Sequence, residues 1–187
     1  MGVPLMTKFE IRRDLDVEKL EELSSAEATD ADEQGYLAGN QSYRDLRGFR
    51  WDDVRRALEF ESGLVGRIKA ADNSAAAELD FDEIRLQALD PIEELCGLDV
   101  GVASAVLAIS ALGAIPVSSC NGGCFGPPHQ AQHPYVAFYL PKDHAVRILD
   151  LAEAADIGLG VDSDGIAQIY SRTVHDFLRF AALAVTR

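Results

Sequence analysis

The chain has 187 residues, a formal net charge of −14 at pH 7 and a hydrophobic content of 48%. This length and composition are enough for one domain with a substantial core. The acidic surface repels phosphate backbones, which makes nucleic acid an unfavourable partner. No apolar run approaches the roughly 20 residues that span a bilayer, so we expect no membrane partner either.

The chain contains three cysteines, Cys96, Cys120 and Cys124, and its start lacks the basic and apolar regions of a secretion signal. A small, odd number of cysteines without a signal argues against a disulfide framework. We therefore expect a cytoplasmic protein of bacterial type in which the thiols stay reduced.

The N-terminal portion, residues 1–97, is acidic and helix-prone, with 23 acidic and 12 basic side chains. Apolar residues at helical spacing predict a helix over residues 51–60. Residues 24–39 show no clear period, which predicts an irregular, mobile segment near 24–40.

The C-terminal portion, residues 98–187, has clearer boundaries between its predicted helices and strands. Residues 100–112 are all apolar or small, the pattern of a helix that is buried on most sides, and Asp99 is its expected N-cap. The further predicted elements are strands at 114–119, 135–140 and 166–170, a turn at 158–165, and helices at 144–155 and after Thr173. This order indicates an α+β fold, a small sheet with helices packed on one face.

Reactive side chains are concentrated at residues 120–133 of this portion. Cys120, Cys124, His129 and His133 have the spacing C-x3-C-x4-H-x3-H. Thiolate and imidazole are ligands that zinc prefers, and four of them close a tetrahedral site. The pattern predicts a zinc site built from these four residues, whose role, structural or catalytic, stays open.

A nucleophilic cysteine is the second interpretation of the same segment. Cys120 follows a predicted strand, and a nearby histidine (His129, His133 or His175) would lower the pKa of its thiol. The glycines that follow would leave backbone amides free to bind an oxyanion or a phosphate. The candidate cofactor-binding residues in this interpretation are Ser118, Ser119, Asn121, Gly122 and Gly123.

Two further interpretations need no chemistry at this segment. Cysteines often only pack, and Cys96 is the clearest candidate for that role. Alternatively, the chain is a non-enzymatic interaction protein, similar in role to an antitoxin or an immunity protein. Its acidic stretch with Glu27, Asp30, Asp32 and Glu33 would then bind a basic protein partner.

A local resemblance covers residues 114–138. Ser118, Ser119, Cys120 and Gly122, followed by a strand at residues 134–138, resemble the cysteine-centred element of the wybutosine-synthesising methyltransferase family and of small bacterial and phage proteins. The resemblance implies an S-adenosylmethionine cofactor and a tRNA substrate. Gly123 departs from the family, which has a basic residue there. The resemblance thus implies chiefly that residues 118–123 line a functional pocket.

Overall fold

The computed structural model of the chain describes residues 9–73, 76–77, 80–81, 92, 95–125 and 131–186. Its helices are α1 (Ser25–Gln34), α2 (Trp51–Ala70), α3 (Ala103–Ala111), α4 (Ala145–Ala155) and α5 (Val174–Thr186). Its strands are β1 (Arg13–Asp14), β2 (Ile115–Cys120), β3 (Tyr135–Tyr139), β4 (Gly158–Val161) and β5 (Ala167–Tyr170). The predicted α+β class is confirmed. None of the helices described combines the length and apolar character needed to cross a bilayer.

The strands form one mixed sheet in the order β1-β4-β5-β3-β2. β1 runs parallel to β4, and the other neighbours are antiparallel. β2 therefore lies at an edge, where the missing N–H of Pro116 is tolerated. The register between β2 and β3 shifts between Pro116 and Ser118, which bends the edge strand just before the cysteine-containing segment.

The helices α2 to α5 contact one another and cover one face of the sheet. Along β3, Val136 and Phe138 are fully buried in the core between the sheet and these helices. Tyr139 points to the opposite face, because successive side chains of a strand alternate. Val54 of α2 belongs to the same core as Phe138, so the core joins the N-terminal and C-terminal portions of the chain.

Helix α3 begins at Ala103, and its first amides bind a side chain from another helix. The buried carboxylate of Glu61 in α2 accepts hydrogen bonds from the N–H groups of Gly101 (2.7 Å), Ala103 (2.9 Å) and Ser104 (2.9 Å). The prediction that Asp99 caps this helix is therefore wrong. The cap comes from a residue distant in sequence, which rules based on neighbouring positions do not find.

The segment predicted to be irregular near residues 24–40 contains helix α1. Ser24 and Glu27 form a capping box at its start, with the Glu27 N–H donating to Ser24 Oγ and the Ser24 N–H donating to Glu27 Oε2. Ala28 and Ala31 bury one side of the helix in a cluster with Ile115 of β2. Two alanines give too weak an apolar period to reveal the helix in the sequence.

The segment predicted as a turn at residues 158–165 begins with strand β4. Gly158 lies opposite Tyr170 of β5, and a Cβ at Gly158 would collide with the Tyr170 ring. The glycine thus makes room for a cross-strand aromatic ring rather than for a turn. The turn itself is limited to the residues that follow Val161.

Candidate functional site

The chain leaves β2 through a turn that is anchored by Asn121, which is fully buried. Its backbone N–H donates to Oδ2 of Asp99 (3.1 Å), and its side-chain Nδ2 donates to the carbonyl of Val100 (3.2 Å). Gly122 follows with a positive φ of 68°. The turn is therefore fixed to the loop that precedes helix α3.

The backbone amides of this turn are engaged within it. Gly122 N–H donates to Sγ of Cys120 (3.3 Å), and Gly123 N–H donates to Oδ1 of Asn121 (2.9 Å). Cys124 N–H donates to the Asn121 carbonyl (3.3 Å). The expectation that these glycines leave amides free for an oxyanion or a phosphate is therefore wrong, because the buried Asn121 side chain closes the turn upon itself.

The His133 ring lies among aromatic side chains. Its centroid is 4.9 Å from that of Phe9 and 5.8 Å from that of Tyr170, both in edge-to-face geometry. Burial lowers the pKa of His133, so that this ring is held neutral. These contacts give His133 a packing role in the structure.

The predicted zinc ligands are not brought together by the part of the chain that the structure describes. Cys120 is half-buried at the end of β2, Cys124 is exposed, and His129 lies outside the described residues. Among the described residues, no three His, Cys, Asp or Glu side chains are grouped as a metal site requires. A zinc site at Cys120, Cys124, His129 and His133 stays a prediction, for elemental analysis of the purified protein to test.

The surroundings of Cys120 keep its thiol protonated. Burial raises the pKa of the Cys120 thiol, the Gly122 N–H opposes this shift, and the Asp99 carboxylate adds to it. A nucleophilic cysteine needs the opposite direction, a lowered pKa that populates the thiolate at neutral pH. The described environment of Cys120 thus favours a thiol that donates to Asp99 over an activated nucleophile.

We expect iodoacetamide to alkylate Cys120 more slowly than Cys124 between pH 7 and 8. The reactive species is the thiolate, and a raised pKa makes it rarer until the pH passes that pKa. Asp99→Asn removes the neighbouring negative charge, so it should lower the pKa and speed the reaction of Cys120 alone. Mass spectrometry of the two peptides measures both rates; faster alkylation of Cys120 than of Cys124 would restore the nucleophile interpretation.

A cavity of about 650 Å³, here called the β2 cavity, opens beside the end of β2. Its walls come from residues 38–46, from residues 96–99 and from the strand itself. Ser118 and Ser119, two of the predicted cofactor-binding residues, line it, and Asn121, Gly122 and Gly123 form the adjoining turn. The polar side chains that line the cavity include Asn40, Ser42, Arg44, Asp99, Ser118 and Ser119.

One wall of the β2 cavity has a left-handed backbone. Leu95, Cys96 and Gly97 have φ values of 51°, 55° and 77° in succession. This conformation costs an L-residue about 1–2 kcal/mol. Two successive non-glycine residues therefore adopt it only where the surrounding structure holds them there. Leu95 is fully buried, and its carbonyl accepts the N–H of Leu98 (2.9 Å), which closes the turn.

Residues 38–46 supply side chains that sequence reasoning missed. Asn40 Nδ2 donates to the Val117 carbonyl of β2 (2.7 Å), which fixes this segment against the edge strand. Arg44 is exposed, lines the cavity and makes no ion pair or hydrogen bond with any residue that the structure describes. The signal was the Gly39-Asn40 pair, a turn sequence that positions the residues after it.

No protein-family model, curated protein or solved structure matches the chain. The resemblance of residues 114–138 to the wybutosine-synthesising methyltransferase family therefore rests on those residues alone. The S-adenosylmethionine cofactor and the tRNA substrate that this resemblance implies stay predictions.

Proposed function

We propose that the protein binds a small polar molecule in the β2 cavity. The observation that carries this proposal is the convergence of polar side chains from three separate chain segments on one cavity of about 650 Å³. Ligand sites in proteins are typically concave, a few hundred cubic ångströms in volume, and lined by apolar surface with a few placed polar groups. The apolar part of this lining includes Leu46, Val106 and Val117.

The strained wall supports the same proposal. A backbone in a rarely populated conformation persists only when the surrounding structure holds it, and such strain is concentrated at ligand and active sites. Leu95 and Cys96 are non-glycine residues with positive φ, and Cys96 lines the cavity directly. The strain therefore occurs where a ligand would be bound.

Binding is favoured over cysteine catalysis. Asp99, which lines the cavity, also contacts the Cys120 thiol and accepts the Asn121 N–H. This arrangement fixes the cavity wall and holds the thiol neutral. The proposed function is thus ligand binding, and Cys120 helps to hold the turn after β2 by accepting the Gly122 N–H.

A basic protein partner and a cytoplasmic location stay predictions. Two residues of the acidic stretch have structural roles: Glu27 belongs to the capping box of α1, and Asp32 accepts the N–H of Asp45 (2.8 Å). Asp30 and Glu33 are exposed on the same helix. All four carboxylates of the stretch are exposed, so these structural roles leave its acidic face intact.

The proposal predicts that filling the β2 cavity abolishes ligand binding. A library of polar metabolites is screened by ligand-observed NMR against the wild type and Ser119→Leu. We expect Ser119→Leu to weaken every wild-type binder at least about tenfold, because the added side chain occupies the cavity. Ser42→Leu, at an exposed position of the lining, should have a similar effect without disturbing a strand.

The matched control is Ser25→Leu, which adds the same atoms at an exposed position on α1 away from the cavity. It should bind like the wild type. Circular dichroism shows that each variant is folded. Equal binding by the wild type and both cavity variants, or no binder of the wild type in the library, would contradict the proposal.

A further inference from the structure

A second cavity of about 450 Å³, here called the sheet-face cavity, adjoins the β2 cavity. Ala38, Val117, Ser118 and Tyr135 line both cavities, so the two share a wall. The sheet-face cavity continues across the face that lies opposite the helices α2 to α5, past Tyr139 of β3. The shared lining places the two cavities side by side at the edge strand β2.

The two cavities differ in their charged residues: Arg44 and Asp99 line the β2 cavity, and two carboxylates line the sheet-face cavity. Arg44 lines the β2 cavity only, and Asp162 and Asp164 line the sheet-face cavity only. Asp99, the acidic residue of the β2 cavity, is directed to the end of β2, where it accepts the N–H of Asn121 and contacts the Cys120 thiol. Arg44 is therefore the group of the β2 cavity that is suited to pair with an anion.

The acidic end of the sheet-face cavity is held in place by the turn between β4 and β5. Oδ1 of Asp162 accepts the N–H groups of Asp164 (2.9 Å) and Ile166 (2.9 Å). These bonds orient the Asp162 carboxylate, whose second oxygen has no hydrogen bond to a described residue. A fixed carboxylate is better suited to pair with a ligand than one on a mobile side chain, since less freedom is lost on binding.

Tyr139 adds an aromatic ring to the acidic end. Burial raises the pKa of Tyr139, and the carboxylates around it, including Glu21, Asp162 and Asp164, raise it further. The hydroxyl thus stays neutral, and the ring lies in a negative field. An ammonium group is the chemical partner that both an aromatic ring and carboxylates attract.

We infer that the two cavities form one cleft for an amphoteric small molecule, an amino carboxylate or a related amino acid derivative. Its anionic group pairs with Arg44, and its ammonium group lies beside Asp162, Asp164 and Tyr139. This inference rests on the proposed function, because it requires that the β2 cavity binds a ligand. It adds the ligand's class and its direction along the cleft.

Titration calorimetry with three kinds of probe tests the inference: ω-amino carboxylates of increasing chain length, simple carboxylates and simple amines. Arg44→Gln should weaken amino carboxylates and carboxylates about fivefold and leave amines unchanged. The double variant Asp162→Asn/Asp164→Asn should weaken amino carboxylates and amines to a similar extent and leave carboxylates unchanged. Asparagine at position 162 keeps the acceptor that the turn needs.

Two charge-matched controls separate pairing in the cleft from the general field of an acidic protein. Arg147→Gln and Asp30→Asn/Glu33→Gln change the same charges at exposed positions outside both cavities. They should leave all three kinds of probe unaffected. An equal loss of amine binding in Asp30→Asn/Glu33→Gln would overturn the inference. So would an amino carboxylate that binds no more tightly than the better of the matching simple carboxylate and simple amine.

The proposed function and this inference fail differently. If Ser119→Leu abolishes the binding of a ligand and the charge variants leave that binding unchanged, the β2 cavity remains the binding site. The inference that the ligand is amphoteric is then overturned. A wild type that binds none of the probes overturns the inference as well, whereas the metabolite screen decides the proposed function independently.

Discussion

Replacing Glu61 by alanine is expected to lower the free energy of unfolding by about 3 kcal/mol or more. The side chain is fully buried and accepts three backbone N–H groups at the start of α3. Burial raises the pKa of Glu61, and its amide hydrogen bonds oppose that shift. Alanine would leave the three amides buried without an acceptor, at a cost of about 1–3 kcal/mol for each unmade bond.

Urea unfolding followed by circular dichroism measures this loss. The matched control is Glu59→Ala, which removes an exposed carboxylate from the same helix and should change stability by less than about 0.5 kcal/mol. Glu61→Gln should fall between the two, because it keeps one acceptor oxygen but places an NH2 group against an amide donor. A Glu61→Ala variant within about 1 kcal/mol of the control would show that other groups cap α3.

Replacing Gly122 by alanine is expected to cost about 2–4 kcal/mol of folding stability. Its φ of 68° strains any L-residue by about 1–2 kcal/mol. In addition, the new Cβ would stand 2.5 Å from the backbone carbon of His133, and backbone cannot move aside as a flexible side chain can. The substitution would force the turn after β2 away from the segment that leads into β3.

Gly35→Ala separates the two contributions. Gly35 has a nearly identical φ of 66°, but nothing lies within 4 Å of a Cβ built there. The stability loss of Gly35→Ala should therefore reflect only the backbone strain. Thermal unfolding of both variants gives the comparison, and equal losses at the two glycines would mean that the contact with His133 carries no energy.

The parts of the fold that follow from local periodicity were predictable. Alternation along β3 placed Val136 and Phe138 in the core, where both are fully buried. The lack of a polar face at residues 100–112 indicated a buried helix, and α3 is buried along nearly its whole length. Such patterns are readable because side-chain direction repeats within a few residues of the same element.

The parts that depend on distant residues were not predictable. Glu61 binds amides of the segment around Gly101, and the β2 cavity combines residues 38–46 with residues 96–99 and the end of β2. Nothing in the spacing of these residues shows that they meet. The sequence identified Ser118 and Ser119 because they adjoin a conspicuous cysteine, whereas Arg44 has no such neighbour.

The hydrogen bond from Asn40 to the Val117 carbonyl also bears on self-association. An open edge strand is a template on which strands of other copies can add, which is a route to aggregation. Here a side chain occupies the Val117 carbonyl, and Pro116 offers no N–H to an incoming strand. A second copy would have to displace residues 38–46 before its own strand could join the sheet. The segment that walls the cavity thus also hinders the pairing of this edge with a strand of another copy.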